Sequence, residues 1–472
     1  MMATRKVLGI PYHLWNPYTP MDQFMAYLGF GPTVIVRGEG HYLYNGHGKR
    51  YLNGNSATWN CALGYGRREL IDAAGRQMAE LPFSSCWGMS HPRAIELAAR
   101  LVEITSGRFS HVYLGCTGSE AVETALKMAR QYHRQSPDPA DRGRFKVISL
   151  HGGYHGCSYC GVSASGEESD AAHFGPLLPG YVQIEPPYCY RCTYGPDPYP
   201  ACGLKCGHAL AAKIEQEGPE TVAAFILEPV MGWLGTIVPP PEYYRIVGET
   251  CRRYGVLLVA DEVSTGFGRT GKLFASEDWD PRPDLLCLGK IISGGYLPLS
   301  ATLATEGIYQ RFSGPDRYFT HGSTNSGHPV CAAVGLAAID IILTENLPQN
   351  AARVGEHLLA CLQELRDRHE IIGDVRGRGL MLGLELVTDR QARTPLPADE
   401  LFNIILDVVN RGLLVTLDSL RLMPPLNIDE RIADEMVGIL DKALRTGTAA
   451  RIGRTARLVK EFAVSKLPQS AR

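Results

Sequence analysis

The sequence predicts an α/β protein: a large domain with a mostly parallel central sheet flanked by helices, plus a smaller α+β domain. Three observations carry this. From about residue 65 to 330, amphipathic helical stretches alternate with short apolar runs, the pattern of strand–helix–strand units. The runs are almost continuously apolar, as in parallel strands buried on both faces. Beyond about residue 331 the chain changes to long helices with a few strands.

Residues 1–64 form an N-terminal segment rich in turns and aromatics, expected to join the small domain. It contains a hairpin-like stretch around 38–51, where His41-Tyr42-Leu43-Tyr44 and Arg50-Tyr51-Leu52 flank Asn45-Gly46-His47-Gly48. Residues 65–330 form the large domain. Its candidate strands are Lys146–Leu150, Ala223–Leu227, Val256–Ala260 and Leu285–Leu288. Helices over 119–133, 206–217 and 242–254 precede the first three. Residues 331–472 complete the small domain. Helices are expected at 331–344, 351–369, 398–411 and 428–445, strands at 381–387 and 413–416, and a glycine-rich turn at 373–379. The tail 451–472 is basic, with Arg451, Arg454, Arg457, Lys460, Lys466 and Arg472 against Glu461, and is expected to be a solvated end.

The 472 residues are 45% hydrophobic, enough for a large core. The formal net charge of −2 favours neither nucleic acid nor a membrane surface. No apolar run is long enough to span a bilayer, and the N-terminus lacks the apolar core of a signal peptide, so a cytoplasmic location is expected. The 13 cysteines are scattered rather than arranged as a disulfide framework.

The chemistry lies at strand ends. The run from Gly255 ends in Asp261 and Glu262, and ligands in open α/β sheets bind beyond the carboxyl ends of strands. On its own, an acid there is better explained as a helix cap or turn acid. The next apolar strand ends at Gly289-Lys290. An apolar strand running into a lysine needs a reason, and an imine-forming amine of lowered pKa is one; a surface lysine is the plain alternative. Lysine and carboxylate together are what pyridoxal 5′-phosphate (PLP) requires: an amine for the aldehyde and an acid to keep the pyridine nitrogen protonated. Val263 is placed to pack one face of the ring. Gly118 and Ser119, with Thr117 at a helix start, suit a phosphate, though plain capping explains them as well. Tyr154 and His155 follow the strand ending at Leu150, where a ring can stack on a flat cofactor, and ordinary turn packing explains them equally well.

In order and spacing these stretches resemble the class III (ω-) aminotransferases of PLP fold type I, over roughly residues 10–445. The resemblance rests on Thr117-Gly-Ser-Glu-Ala121 with Lys127, Gly153-Tyr-His-Gly156, and Ile226-Leu-Glu-Pro-Val230 with Gly232 and Gly235. It continues through Ala260-Asp-Glu-Val263, Gly266-Phe-Gly-Arg-Thr-Gly271, Gly289-Lys290, Ser293-Gly-Gly-Tyr296 and His321-Gly-Ser-Thr324 with Gly327-His-Pro329.

The resemblance implies an aminotransferase that moves an amino group from an amine or ω-amino acid to a keto acid such as pyruvate, in ping-pong fashion through pyridoxamine phosphate. It implies Lys290 as the Schiff-base lysine and proton shuttle, and Asp261 as the pyridinium partner. Gly118 and Ser119 would bind the phosphate, Tyr154 would stack on the ring opposite Val263 with His155 beside it, and Glu228 would lie near the phenolic oxygen. Thr324 would reach the phosphate of a neighbouring subunit's cofactor, so a homodimer, possibly a tetramer, is implied. Trp59 would line the substrate pocket, with Trp87, Leu14, Trp15 and Phe83 as further candidates. Arg421 would take the carboxylate of the small acid partner. In family members with a glutamate gate the acid follows the Glu-Pro-x-x-Gly run; here Trp233 stands there, favouring a roomier apolar pocket for amines or longer ω-amino acids.

Two rivals remain at this stage. One is a PLP-dependent aminomutase or racemase on the same fold. The other is a zinc-organised binding protein built on Cys189-x2-Cys192 and Cys202-x3-Cys206, a spacing that also suits reduced thiols. Reduced thiols are the expectation, and no metal is assigned.

Overall fold

The computed structural model describes residues 6–7, 9–21, 24, 34–166, 172–416 and 419–446; the basic tail lies outside them. Its centre is a seven-stranded sheet. In chain order the strands are β1 (His111–Gly115), β2 (Lys146–Leu150), β3 (Tyr181–Ile184), β4 (Val222–Leu227), β5 (Leu257–Asp261), β6 (Leu285–Leu288) and β7 (Ser300–Ala304). Their spatial order is β1-β7-β6-β5-β4-β2-β3. All neighbours from β6 to β3 are parallel; β7 alone is reversed, antiparallel to both β6 and β1. Every residue of β4, β5 and β6 is buried, which explains why their sequences do not alternate.

The four predicted strands are present within a residue at each end. The helices predicted before three of them run Gly118–Arg134, Lys205–Glu217 and Tyr243–Tyr254. β1, β3 and β7 were not predicted; β1 and β3 are the edges of the sheet, and β7 is its one reversed strand. Parallel pairing aligns Asp261 with Cys287, so the carboxyl ends of β5 and β6 are level and Lys290 follows within one turn.

The second body is a smaller antiparallel sheet. Met381–Asp389 pairs with Ile372–Arg378 on one edge and with Leu420–Leu422 on the other. This corrects one expectation, because residues 373–378 lie in a strand rather than a glycine-rich turn. The glycines mark close approach. A Cβ on Gly373 would meet Val387 Cγ1 at 2.8 Å, and one on Gly377 would meet Leu382 Cα at 2.8 Å. Only Gly379, with φ +58°, turns the chain.

The hairpin of Tyr42–Asn45 and Arg50–Asn53 also forms, and Arg50–Asn53 pairs in parallel with Leu413–Leu414, which binds the N-terminal segment to the C-terminal one. Helix Pro329–Thr344 is apolar on most sides and buried; it packs against helices Arg68–Glu80 and Pro92–Ile104 and the short turn Lys290–Ser293. Among the described residues, no single helix is long and apolar enough to cross a membrane.

Candidate active site

Strands β5 and β6 deliver an acid and an amine to the same edge of the sheet. A cavity of about 130 Å³ opens there, lined by Gly118, Ser119, Val122, Tyr154, His155, Gly156, Asp261, Val263, Ser264 and Lys290. Seven of the residues singled out in the sequence therefore meet in one place.

Lys290 enters the cavity from a strained backbone. Its φ is +45°, a left-handed conformation that costs a non-glycine residue on the order of 1–3 kcal/mol. The amine lies 2.5 Å from Ser264 Oγ and 4.7 Å from the centre of the Trp59 ring. Removal from solvent lowers its pKa to about 8; Glu228 and Asp261 oppose the shift, while Arg269 and Arg421 reinforce it. An amine so placed is a nucleophile near neutral pH, unlike an exposed lysine.

The two acids that end β5 part company. Asp261 is 3% exposed and turns to the cavity, with Oδ2 2.7 Å from His155 Nδ1 and Oδ1 accepting from the Val263 amide at 3.1 Å. Glu262 is fully buried on the other side. It accepts from the amides of Ala275 and Ser276 and the hydroxyls of Thr265 and Ser276, pinning the loop that follows. Asp261 thus reaches the ligand space and Glu262 is structural, a division that two adjacent letters do not display.

A helix start borders the cavity and could seat an anion. Thr117 caps helix Gly118–Arg134 in a reciprocal capping box with Glu120. The first amides of the helix have no acceptor inside it, and the dipole's positive end faces the cavity. The loop from β2 closes the other side, where the Cys157 amide donates to Ser119 Oγ at 3.1 Å. The approach is tight: a Cβ on Gly118 would meet Val263 Cγ1 at 2.7 Å, and one on Gly156 would meet Ser119 Cα at 2.9 Å.

A second group forms a wall beside Lys290. Arg421, 1% exposed, donates through Nη1 to the carbonyls of Gly232 (2.9 Å) and Trp233 (2.8 Å). Its guanidinium lies 5.2 Å from both the Trp59 and Trp233 rings, and Trp233 stacks on Tyr154 at 5.2 Å. Trp59 reaches this position from Ser56–Trp59, four residues all at positive φ. Gly232 must stay small, since a Cβ there would meet Trp59 Cζ3 at 2.9 Å.

Other expected residues fall differently. Glu228 is buried but does not line the cavity; it holds the amides of Tyr154 (3.0 Å) and Gly232 (3.1 Å), so it joins the anion-seat loop to the wall. Burial raises its pKa. Thr324 is exposed and outside the cavity lining, as is Trp87, whose indole donates to the Ser323 carbonyl at 3.3 Å. Leu14 and Trp15 are exposed, and Phe83 packs against the His328 ring, 5.6 Å away. Sequence reasoning missed Ser264, Val122 and the buried Arg269. Ser264 carries a faint signal, three residues beyond Asp261 on the same strand exit.

A strained, desolvated lysine facing a buried carboxylate, above an anion seat at a helix start, is the arrangement of a PLP-dependent α/β enzyme. Comparison with known proteins narrows the class. The family model described as aminotransferase class-III matches residues 29–444. An adenosylmethionine-8-amino-7-oxononanoate aminotransferase from Nitratidesulfovibrio vulgaris is 38% identical, over 90% of this chain and 79% of its own length. A putrescine–pyruvate aminotransferase from Pseudomonas aeruginosa is 35% identical, over 94% and 96%. A PLP-bound amine transaminase from an uncultivated Pseudomonas species superposes with a TM-score of 0.87 at 39% identity, covering 92% of this chain and 98% of that one. The chain belongs to the class III aminotransferases and is an enzyme of fold type I.

Pyridoxal phosphate is the cofactor this membership indicates. The residues fit it independently. His155 Nε2 is a buried ring nitrogen without a hydrogen-bond partner, at the cavity edge. The glycine cradle at 118 and 156 leaves room that any side chain would fill.

Proposed function

We propose that the enzyme is an ω-transaminase that takes an amino group from an amine or ω-amino acid and gives it to a small keto acid such as pyruvate. The arginine seated between two indoles, on the same wall that Lys290 touches, carries this reading. Trp59, Trp233 and Tyr154 offer an apolar face to a donor chain. Arg421 offers a charge-assisted, bidentate partner to a carboxylate. No acid follows Gly232, so nothing in that position competes for the guanidinium.

In this proposal Lys290 would hold the cofactor, and its buried amine, once free, would be the group placed to carry a proton to and from the substrate carbon. Ser264 positions the free amine. Asp261 would keep a bound pyridine nitrogen protonated, and the 2.7 Å contact with His155 fixes the orientation of Asp261. Val263 and Tyr154 would bracket the ring. Gly118 and Ser119 would hold the phosphate. Glu228 supports the loop carrying Tyr154. The cofactor supplies the electron sink for the substrate carbanion.

Residues 1–64 and 331–472 are proposed to act as one small domain against 65–330, consistent with their shared parallel strand pair. Thr324 and Trp87, together on an exposed surface, are proposed to serve a second subunit's site in a homodimer.

The test is a donor and acceptor panel. Primary amines without an α-carboxylate should support pyruvate-dependent turnover. Activity confined to α-amino acid donors would overturn the substrate proposal, and conversion of one substrate with no acceptor would replace it with an aminomutase or racemase.

A further inference from the structure

The loop between β3 and helix Lys205–Glu217, with the first turn of that helix, contributes nothing to the chemistry above, yet together they gather four cysteines. Cys189, Cys192, Cys202 and Cys206 all line one small cavity of about 20 Å³, together with Tyr188, Tyr194 and Tyr199. That volume is about the room needed for one water-sized group. Two of the thiols come from the short turn Cys189–Arg191 and the residue after it. The other two bracket a tight bend at Gly203 and Leu204, both at positive φ, that launches the helix. Leu204 is a leucine held in a left-handed conformation, a strained choice for the residue that separates two cysteine-bearing turns.

We propose that Cys189, Cys192, Cys202 and Cys206 form a structural site for one zinc-class divalent ion. The spacing, two residues within the first pair and three within the second, is that of closed tetrahedral thiolate sites. Binding replaces four S–H protons, released to solvent, with four metal–sulfur bonds, and no oxidation state changes. Cys206 sits in the first turn of a 13-residue helix, which fixes its position on the cavity wall. Lys205 adds a nearby positive charge against the net negative charge of such a site.

The thiols line the cavity without yet being drawn together. Among the described residues, the group whose ligand atoms already lie within 4.8 Å of one another is a different one, His357, Cys361 and Asp434. That group is explained by the 2.7 Å His357–Asp434 ion pair.

The ion would stiffen a strut that ends at the substrate wall. Tyr188 and Arg191, flanking the first thiols, both reach Glu385 on the small sheet. Glu385 pairs with Arg376 at 2.8 Å, and Arg376 Nε donates to the Gly235 carbonyl at 2.9 Å, two residues beyond Trp233. The site therefore acts on the wall by positioning, at a distance from Lys290.

Metal analysis tests this on full-length holoenzyme purified under reducing conditions without chelators, then exposed to zinc chloride and desalted. About one zinc per chain is expected. It should be lost in Cys189→Ser and Cys202→Ser and kept in Cys361→Ser. Alkylation mapped by mass spectrometry on the wild type gives the same answer without variants: the four thiols should be protected with zinc and labelled after chelation, while PLP absorbance persists. Chelated enzyme should show a raised KM for the amine. No zinc uptake, zinc retained in both cysteine-loop variants, zinc lost on Cys361→Ser, or disulfides among the four cysteines would each overturn the proposal.

Discussion

The carboxyl edge of the central sheet and the wall beside it are built in opposite ways. The edge takes Asp261 and Lys290 from adjacent parallel strands whose pairing makes their ends level. The wall takes Trp59, Trp233 and Arg421 from segments far apart in the chain, Arg421 from a strand of the small sheet, and brings their side chains together through rings and carbonyls. One is fixed by backbone hydrogen bonds deep in a core. The other is closed by side-chain stacking and one guanidinium. On the proposed reading, the difference assigns the general chemistry to the edge and substrate choice to the wall.

Substitutions should separate the two. Lys290→Ala is expected to have the largest effect, abolishing turnover with every donor and acceptor by several orders of magnitude, read in steady-state assays. Asp261→Asn should follow, slowing both half-reactions on the order of 10²–10⁴-fold, because a neutral amide would not keep the pyridine nitrogen protonated. Equal loss in both half-reactions marks the edge; loss in one alone would blur the comparison. Arg421→Ala should act on one side only. Removing a charged hydrogen-bond partner costs about 1.5–3 kcal/mol, so the keto-acid KM should rise roughly 10- to 150-fold while amine-driven conversion of the cofactor stays near its original rate.

A pH experiment sharpens the edge itself. The free Lys290 amine is lowered to about 8 by burial, so it is neutral and nucleophilic above that pH and protonated below. Cofactor capture by apoenzyme should accelerate as pH rises through about 8 and then level off. A transition near the ordinary lysine value of about 10.5 would show that burial is not felt. The smallest effect on chemistry is expected from Glu262→Gln. It should leave kcat within about twofold but lower Tm, because one acceptor oxygen would become an amide facing donors.

Much of the edge was legible in the sequence because its signals are local. An apolar run ending in an acid, and another ending in lysine, describe buried parallel strands with polar exits. The small-residue helix start at Thr117 was equally visible. What a linear reading cannot separate is which of Asp261 and Glu262 faces the cavity, because that depends on the loop at Ala275 and Ser276 folding back over one of them. The strand at Ile372–Arg378 was misjudged as a turn because its glycines serve close packing against Val387 and Leu382. The wall was legible only in part. Trp59 and Arg421 were identified through the family resemblance. That Trp233 completes the stack, and that Glu228 braces backbone rather than lining the cavity, required coordinates.

Borohydride reduction of the holoenzyme followed by peptide mapping probes the covalent link between cofactor and chain. The reduced pyridoxyl group should be found on the peptide containing Lys290 and on no other. A label on a different lysine, or none on cofactor-loaded protein, would contradict the account.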